Sequence, residues 1–166
     1  PENTEFSILS TAYLFVTTDK FKGNVGTIGA DYACTSAAQA SPHYRAMNGL
    51  WYAVLETSNY AFGANVDSGG ELRNIATVPG SQGGTTVDQR VTARANDFFS
   101  PTDQTYLDHG IAQSDGASAT EAWTGIDSKS CEDWTTDSTN AVAGVGSPGG
   151  TSGKSWKDWG YGYGDC

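Results

Sequence analysis

Turn-forming residues leave this chain little room for long regular elements: it holds Gly 21, interspersed with Ser, Thr and Asn, and only 17% charged residues. Glycine and short polar side chains favour turns, and they interrupt both the helical and the strand period of apolar residues. The expected fold is therefore loop-rich, with short strands and few helices. At 166 residues the chain is long enough to bury a real core, and residues 1–166 are expected to form one domain.

The charge balance narrows the partners. A net charge of -10, from Lys+Arg 9 against Asp+Glu 19, repels phosphate backbones and anionic lipid surfaces, so neither nucleic acid nor a membrane surface is an expected partner. The apolar run around Ile8 to Val16 is broken by Ser10 and Thr11 and falls short of a bilayer span, so no membrane insertion is expected. A single Met, abundant Trp and Tyr, and cysteines set in Gly-rich loops fit an oxidising compartment, which makes the expected location secreted or cell-surface. A chain beginning at Pro1 fits either a mature exported form or a segment boundary.

Along the chain, Phe6 to Thr17 reads as one or two strands, because aromatic and β-branched residues fill it. A turn at Lys22-Gly23-Asn24-Val25-Gly26 leads to a helix expected from Ile28 to Ala40, capped by Thr27 and ended by Ser41-Pro42. Its inner face is small and carries Cys34, so it is expected to lie close against a sheet. Tyr44 to Glu56 reads as core strand or near-strand, residues 58–84 as loops anchored by Leu72, Ile75 and Val78, and residues 85–99 as either a short helix or a strand. Tyr106 to Ala119 reads as a polar loop and Glu121 to Ile126 as a buried strand. From Ser138 onward the chain is Gly, Ser and Ala punctuated by Trp156, Trp159, Tyr161 and Tyr163.

Catalytic and metal motifs are sparse. His43 and His109 stand far apart, with no His, Cys or carboxylate at ligand spacing, which argues against zinc. No Gly-x-Ser-x-Gly elbow precedes a helix, and Gly144-Val145-Gly146-Ser147-Pro148-Gly149 lacks the Lys-Ser/Thr and helix of a phosphate cradle. The expectation is a binding protein and not an enzyme.

The densest constellation is Trp123-Thr124-Gly125-Ile126, then Cys131-Glu132-Asp133-Trp134-Thr135-Thr136, Trp156 and Gly164-Asp165-Cys166. Near the start stand Phe15-Val16-Thr17-Thr18, Gly23-Asn24 and Gly29-Ala30-Asp31-Tyr32-Ala33-Cys34. In order and rough spacing these resemble the bacterial family of endostatin-like, C-type-lectin-like extracellular domains known from leptospiral outer-surface proteins. The resemblance implies an α+β, C-type-lectin-like single domain with small antiparallel sheets, one main helix and long Gly-rich loops. It also implies an exported adhesion or ligand-binding module, and the expected function is recognition of a host or environmental protein or glycan through its loops, with residues 58–119 and 138–165 as the candidate face. Carried over by residue, it pairs Cys131 with Cys166. The family's final strand, with a fourth cysteine, has no counterpart here, which leaves Cys34 awaiting a partner beyond residue 166.

Two candidate sites follow. Asp127, Glu132, Asp133 and Asp137 form an acidic cluster where lectin-like domains can hold calcium, against the competing reading of a solvated acidic loop. No Glu-Pro-Asn sugar motif accompanies it, so no cofactor is the primary expectation. Trp156, Trp159, Tyr161 and Tyr163 are separated by Gly, Lys and Asp and are not expected all to be covered by a helix or strand of their own. Trp159, Tyr161 and Tyr163 are the candidate binding residues, since aromatic rings in a Gly-rich segment build protein- or sugar-binding surfaces at modest ordering cost, against the competing reading that they plug a loop-rich core. Trp156 reads as core. The alternative function is a structural subunit of an extracellular filament or surface layer, self-associating through its N-terminal strand and C-terminal segment.

Overall fold

A computed structural model describes residues 10–59, 69–80, 84–99, 105–124, 130–138, 140–151, 156, 160–163 and 166, with backbone alone at residues 123, 142 and 160–163. Among these residues the order is β1 (Thr11–Tyr13), α1 (Gly26–Ala40), β2 (Glu71–Val78), β3 (Thr85–Thr92), α2 (Ala95–Phe99), β4 (Ala122–Trp123), α3 (Cys131–Trp134), β5 (Val142–Gly146) and β6 (Gly160–Tyr163). The architecture is α+β. One sheet has the order β1-β2-β3, with β1 parallel and β3 antiparallel to β2; the other has the order β4-β5-β6 and is antiparallel throughout. The mixed first sheet departs from the expectation of antiparallel sheets alone.

The eight-residue β2 is a correction to the loop reading of residues 58–84. Its Leu72 and Asn74 alternate inward between half-buried Glu71, Arg73 and Ile75, a two-residue period hidden by the polar residue at an inward position. The buried amide of Asn74 is compensated on one side, where its Nδ2 donates to the Gly110 carbonyl at 2.7 Å, while its Oδ1 has no partner among the described residues. Residues 85–99 contain both of the forms expected for them, β3 followed by α2. Tyr44 to Glu56 is a second correction, for no strand forms there. Instead Tyr44 is buried among Tyr13, Phe15 and Trp51, with ring centroids 4.9 to 6.3 Å from its own. The following backbone is tied by helix side chains in place of a ladder. Asp31 accepts from Ala53 N at 2.7 Å, and Thr35 Oγ1 donates to the Trp51 carbonyl at 3.3 Å.

Leu14, Leu72, Val91, Phe98, Phe99, Leu107, Ile111 and Trp156 form the main core. Burying each such large apolar side chain contributes about 1.5–3 kcal/mol. Trp156 stacks on Phe98 at 6.0 Å and donates its indole N–H to the Phe98 carbonyl at 3.0 Å, so this ring serves the core. The loop at residues 106–119 contributes buried Leu107, Ile111, Ala112 and Ala119, making it less polar in role than in composition.

A second cluster gathers Cys131, Trp134, Ala143 and Cys166, with Leu55 and Ala141 beside it. Cys131 and Cys166 are disulfide-bonded, their Cα atoms 5.5 Å apart. Four consecutive residues of α3 are left-handed, with φ of 49, 54, 58 and 64°. This backbone costs roughly 1–2 kcal/mol per non-glycine residue. The disulfide, the burial of Trp134 and the Ser130 cap on Asp133 N at 3.1 Å hold the turn against that cost. Gly23 lies against it, where a Cβ would come within 2.6 Å of Cys131 Sγ and the Thr136 carbonyl.

Candidate binding groove

Helix α1 starts two residues before the expected Ile28. Its N-cap is Val25, without a side-chain cap bond, so the expected Thr27 cap is corrected: Thr27 lies inside the first turn. Its end follows expectation, with Ser41 extended before Pro42. Ser41 is buried, and its hydroxyl donates to the Ser114 carbonyl while accepting from His43 N at 3.1 Å and Tyr44 N at 3.3 Å. This single hydroxyl fixes the end of α1 to the 111–118 loop.

That loop is itself anchored on two sides. Val16 N donates to the Ala112 carbonyl at 3.0 Å and Ser114 N to the Val16 carbonyl at 2.9 Å, while Thr77 N donates to the Gly116 carbonyl at 2.7 Å. Gly116 has φ +88°, and a Cβ there would meet Thr77 Oγ1 at 2.7 Å, so only glycine fits the turn. Asp115 Oδ1 accepts from Ala117 N at 2.9 Å, and its carbonyl meets His43 Nε2 at 3.1 Å.

Between α1, this loop and the segment from Thr18 to Val25 lies a groove of about 620 Å³. Its helical wall presents Val25, Gly29, Ala33, Ser36, Ala37 and Ala40, which recur at the spacing of one helix face. The sequence assigned this small face to close packing on a sheet. The structure gives it a different task, because α1 packs beside α3 and leaves much of the small face lining an open depression. Tyr32 and Phe21 also line the groove and stand exposed by 75% and 40%. Ile28, one turn before Tyr32, is 84% exposed. The charged lining residues are Asp19 and Asp115. Lys20 and Lys22 flank Phe21 in the chain but do not line the groove, and Lys22 Nζ is 3.4 Å from Asp137.

A shallower depression of about 590 Å³ lies over the first sheet, lined by Glu71, Arg73, Arg90, Asp108 and His109. Its arginines are paired: Arg73 with Glu71 at 2.5 Å and with Asp88 of β3 at 2.8 Å, and Arg90 with Asp108 at 2.5 Å. The Arg90 carbonyl can only accept from His109 Nδ1, 2.8 Å away, which fixes the proton on that nitrogen.

The residues singled out from sequence are dispersed. Trp159 and Asp127 lie outside the described residues. Tyr161 and Tyr163 fall on β6, opposite Gly144 and Val142, so this Gly-interrupted segment forms a strand at the end of the second sheet among the described residues. Glu132 is exposed. The Asp133 carboxylate accepts from Ser58 N at 2.7 Å and Ser58 Oγ at 2.5 Å, and these bonds hold its pKa below the usual carboxylate range. Asp137 faces Lys22. No group of three or more His, Cys, Asp or Glu side chains able to hold a metal occurs among the described residues. Cys34 is half-buried on α1 and unbonded, and burial pushes its thiol pKa up to about 11. No helix among the described residues is long and apolar enough to cross a membrane.

Sequence reasoning missed the groove residues Asp19, Phe21, Tyr32 and Asp115. The available signal was Ile28 and Tyr32, two large residues one turn apart on a helix otherwise built mostly from Ala, Gly, Ser and Thr, with Asp31, Cys34 and Gln39 as the exceptions. No family model matches the chain, and comparisons with curated proteins and with solved structures found no match.

Proposed function

We propose that this chain is a non-catalytic, extracellular ligand-binding module of the C-type-lectin-like kind, and that it binds through the groove along α1. The observation that supports the reading is the groove itself: a depression of about 620 Å³ with a floor of small side chains and exposed rings of Tyr32 and Phe21 beside it. Small residues let a ligand approach the helix backbone, while the rings supply contact area that water covers poorly. The Cys131–Cys166 disulfide is compatible with an oxidising compartment. The resemblance, which runs over essentially the whole sequence and is densest at residues 13–40 and 121–166, supports the lectin-like assignment.

The test is binding of the intact chain to arrays of extracellular proteins and glycans, beside the variant Ala40→Trp. Ala40 is exposed and lines the groove, so an indole there obstructs its end beside Ser41 and Pro42 without entering the core. Specific binding is expected, abolished by Ala40→Trp and unchanged by chelator. Binding that survives Ala40→Trp in a folded variant refutes the proposal.

The second reading, a filament subunit, is favoured by the position of β6 at the end of its sheet, where one strand edge has no neighbour among the described residues. Regular filaments under the electron microscope, lost in Gly162→Pro, would replace the first reading with this one.

A further inference from the structure

We infer that the α1 groove takes an extended, lysine- or arginine-bearing peptide segment of a partner protein. The inference rests on the reading of this groove as the binding site and names what fills it.

Length comes first. The helical wall runs from Val25 to Ala40, and fifteen residues of helix span about 22 Å at ~1.5 Å per residue. An extended peptide rises ~3.3 Å per residue, so about seven residues run the length of the groove. Small residues at Gly29, Ala33, Ala37 and Ala40 let a peptide backbone and its aliphatic stems lie close to the helix. Hydroxyls at Thr18, Ser36, Ser41 and Ser114 line the same depression and interrupt its apolar surface.

Charge selects the side chains. Among the described residues Asp19 and Asp115 line the groove and no Lys, Arg or His does, within a chain of net charge -10. One Asp115 oxygen is engaged by Ala117 N, which orients the carboxylate. Tyr32 and Phe21 add aromatic faces, which attract ammonium and guanidinium groups more than any anion. A cationic side chain with an aliphatic stem matches both features at once, because its stem covers apolar surface while its head meets a carboxylate or a ring. The second depression offers no such selection, since its arginines are paired with its own carboxylates.

The experiment measures fluorescence anisotropy of a fluorescein-labelled seven-residue peptide alternating Lys with Leu, beside Glu/Leu and Ser/Leu peptides. The intact chain is compared with Asp19→Asn/Asp115→Asn and with Ala40→Trp, each shown to be folded by circular dichroism. The amide introduced by Asp115→Asn keeps an oxygen that can accept from Ala117 N, so the turn is retained. The expected result is Lys/Leu binding at least tenfold tighter than Glu/Leu, weakened about three- to tenfold by the double variant and lost in Ala40→Trp. Affinity should fall with added salt, less steeply in the double variant. Equal or tighter binding of Glu/Leu or Ser/Leu, or unchanged affinity in the double variant, overturns the inference. If array binding is lost in Ala40→Trp while Lys/Leu fails to bind, the groove stands and the basic peptide falls. If Lys/Leu binds Ala40→Trp undiminished, the groove reading falls with it. A dimer in sedimentation that Ala40→Trp disperses makes the occupant a second copy and also overturns the inference.

Discussion

Replacing Trp134 by Ala removes the residue on which the second cluster is built. Trp134 is fully buried against the Cys131–Cys166 region, and its indole N–H donates to the Glu56 carbonyl at 3.0 Å. Emptying a large buried aromatic site costs about 3–5 kcal/mol in lost transfer and residual cavity. Leaving the Glu56 carbonyl without its donor is part of that cost, about 1 kcal/mol. Trp134→Phe keeps much of the volume and loses the hydrogen bond, so its expected cost is about 1–2 kcal/mol. Trp134→Gly should be at least as stable as Trp134→Ala, because φ is 64° and the relieved left-handed strain of about 1–2 kcal/mol offsets the usual glycine penalty of about 0.5–1 kcal/mol. Urea unfolding of the oxidised protein measures all three. For a chain of this size each kcal/mol shifts Tm by about 2–4 °C, so Trp134→Ala should melt roughly 10 °C below the parent. A Trp134→Ala loss below about 1 kcal/mol would refute the cluster as a source of stability. A Trp134→Phe variant as damaged as Trp134→Ala would refute the division between volume and hydrogen bond.

Other outcomes follow from the same geometry. Cys131→Ser/Cys166→Ser opens a loop of sequence separation 35 and should cost roughly 4 kcal/mol on the chain-entropy model; peptide mapping without reductant should recover Cys131 joined to Cys166. Cys34, with its pKa raised to about 11, should react with iodoacetamide at pH 8 about 100-fold more slowly than an unperturbed thiol, and a rate equal to that of free cysteine would contradict its burial. Asp133 has a pKa held down by Ser58, so its stabilising effect is fully present above the ordinary carboxylate value of about 4 and is lost as pH falls through the lower folded value. Acid titration of stability should therefore be flatter in Asp133→Asn, and an unchanged acid limb would remove Asp133 from the account.

Where local chemistry and tertiary environment agree, the fold was legible from residues. Helix α1 could be read because small residues recur at its spacing and Pro42 enforces its end. The short strand β4 could be read from Ala122-Trp123 within an apolar run. The strand β2 was hidden because buried Asn74 breaks the apolar alternation, and its Nδ2 bond to the Gly110 carbonyl is a contact across 36 positions. The segment from Tyr44 to Glu56 misled in the opposite direction. Its aromatic density reflects packing on Tyr13 and Phe15 and not strand pairing. Tyr161 and Tyr163 looked irregular because glycine alternates with them, yet pairing with β5 orders their backbone. The groove was least legible. Asp19 and Asp115 are far apart in the chain, and they meet one depression through contacts such as Ser41 with Ser114, His43 with Asp115 and Val16 with Ala112 and Ser114, which no local pattern announces.

The most direct measurement of the central claim is amide chemical-shift mapping of the isotope-labelled chain titrated with the Lys/Leu peptide. The largest changes are expected on residues 18–42 and 114–115, saturating with one peptide per chain. Changes centred on Tyr161 and Tyr163, or on Arg73, Arg90 and His109, would place the binding surface elsewhere and contradict the assignment of the α1 groove.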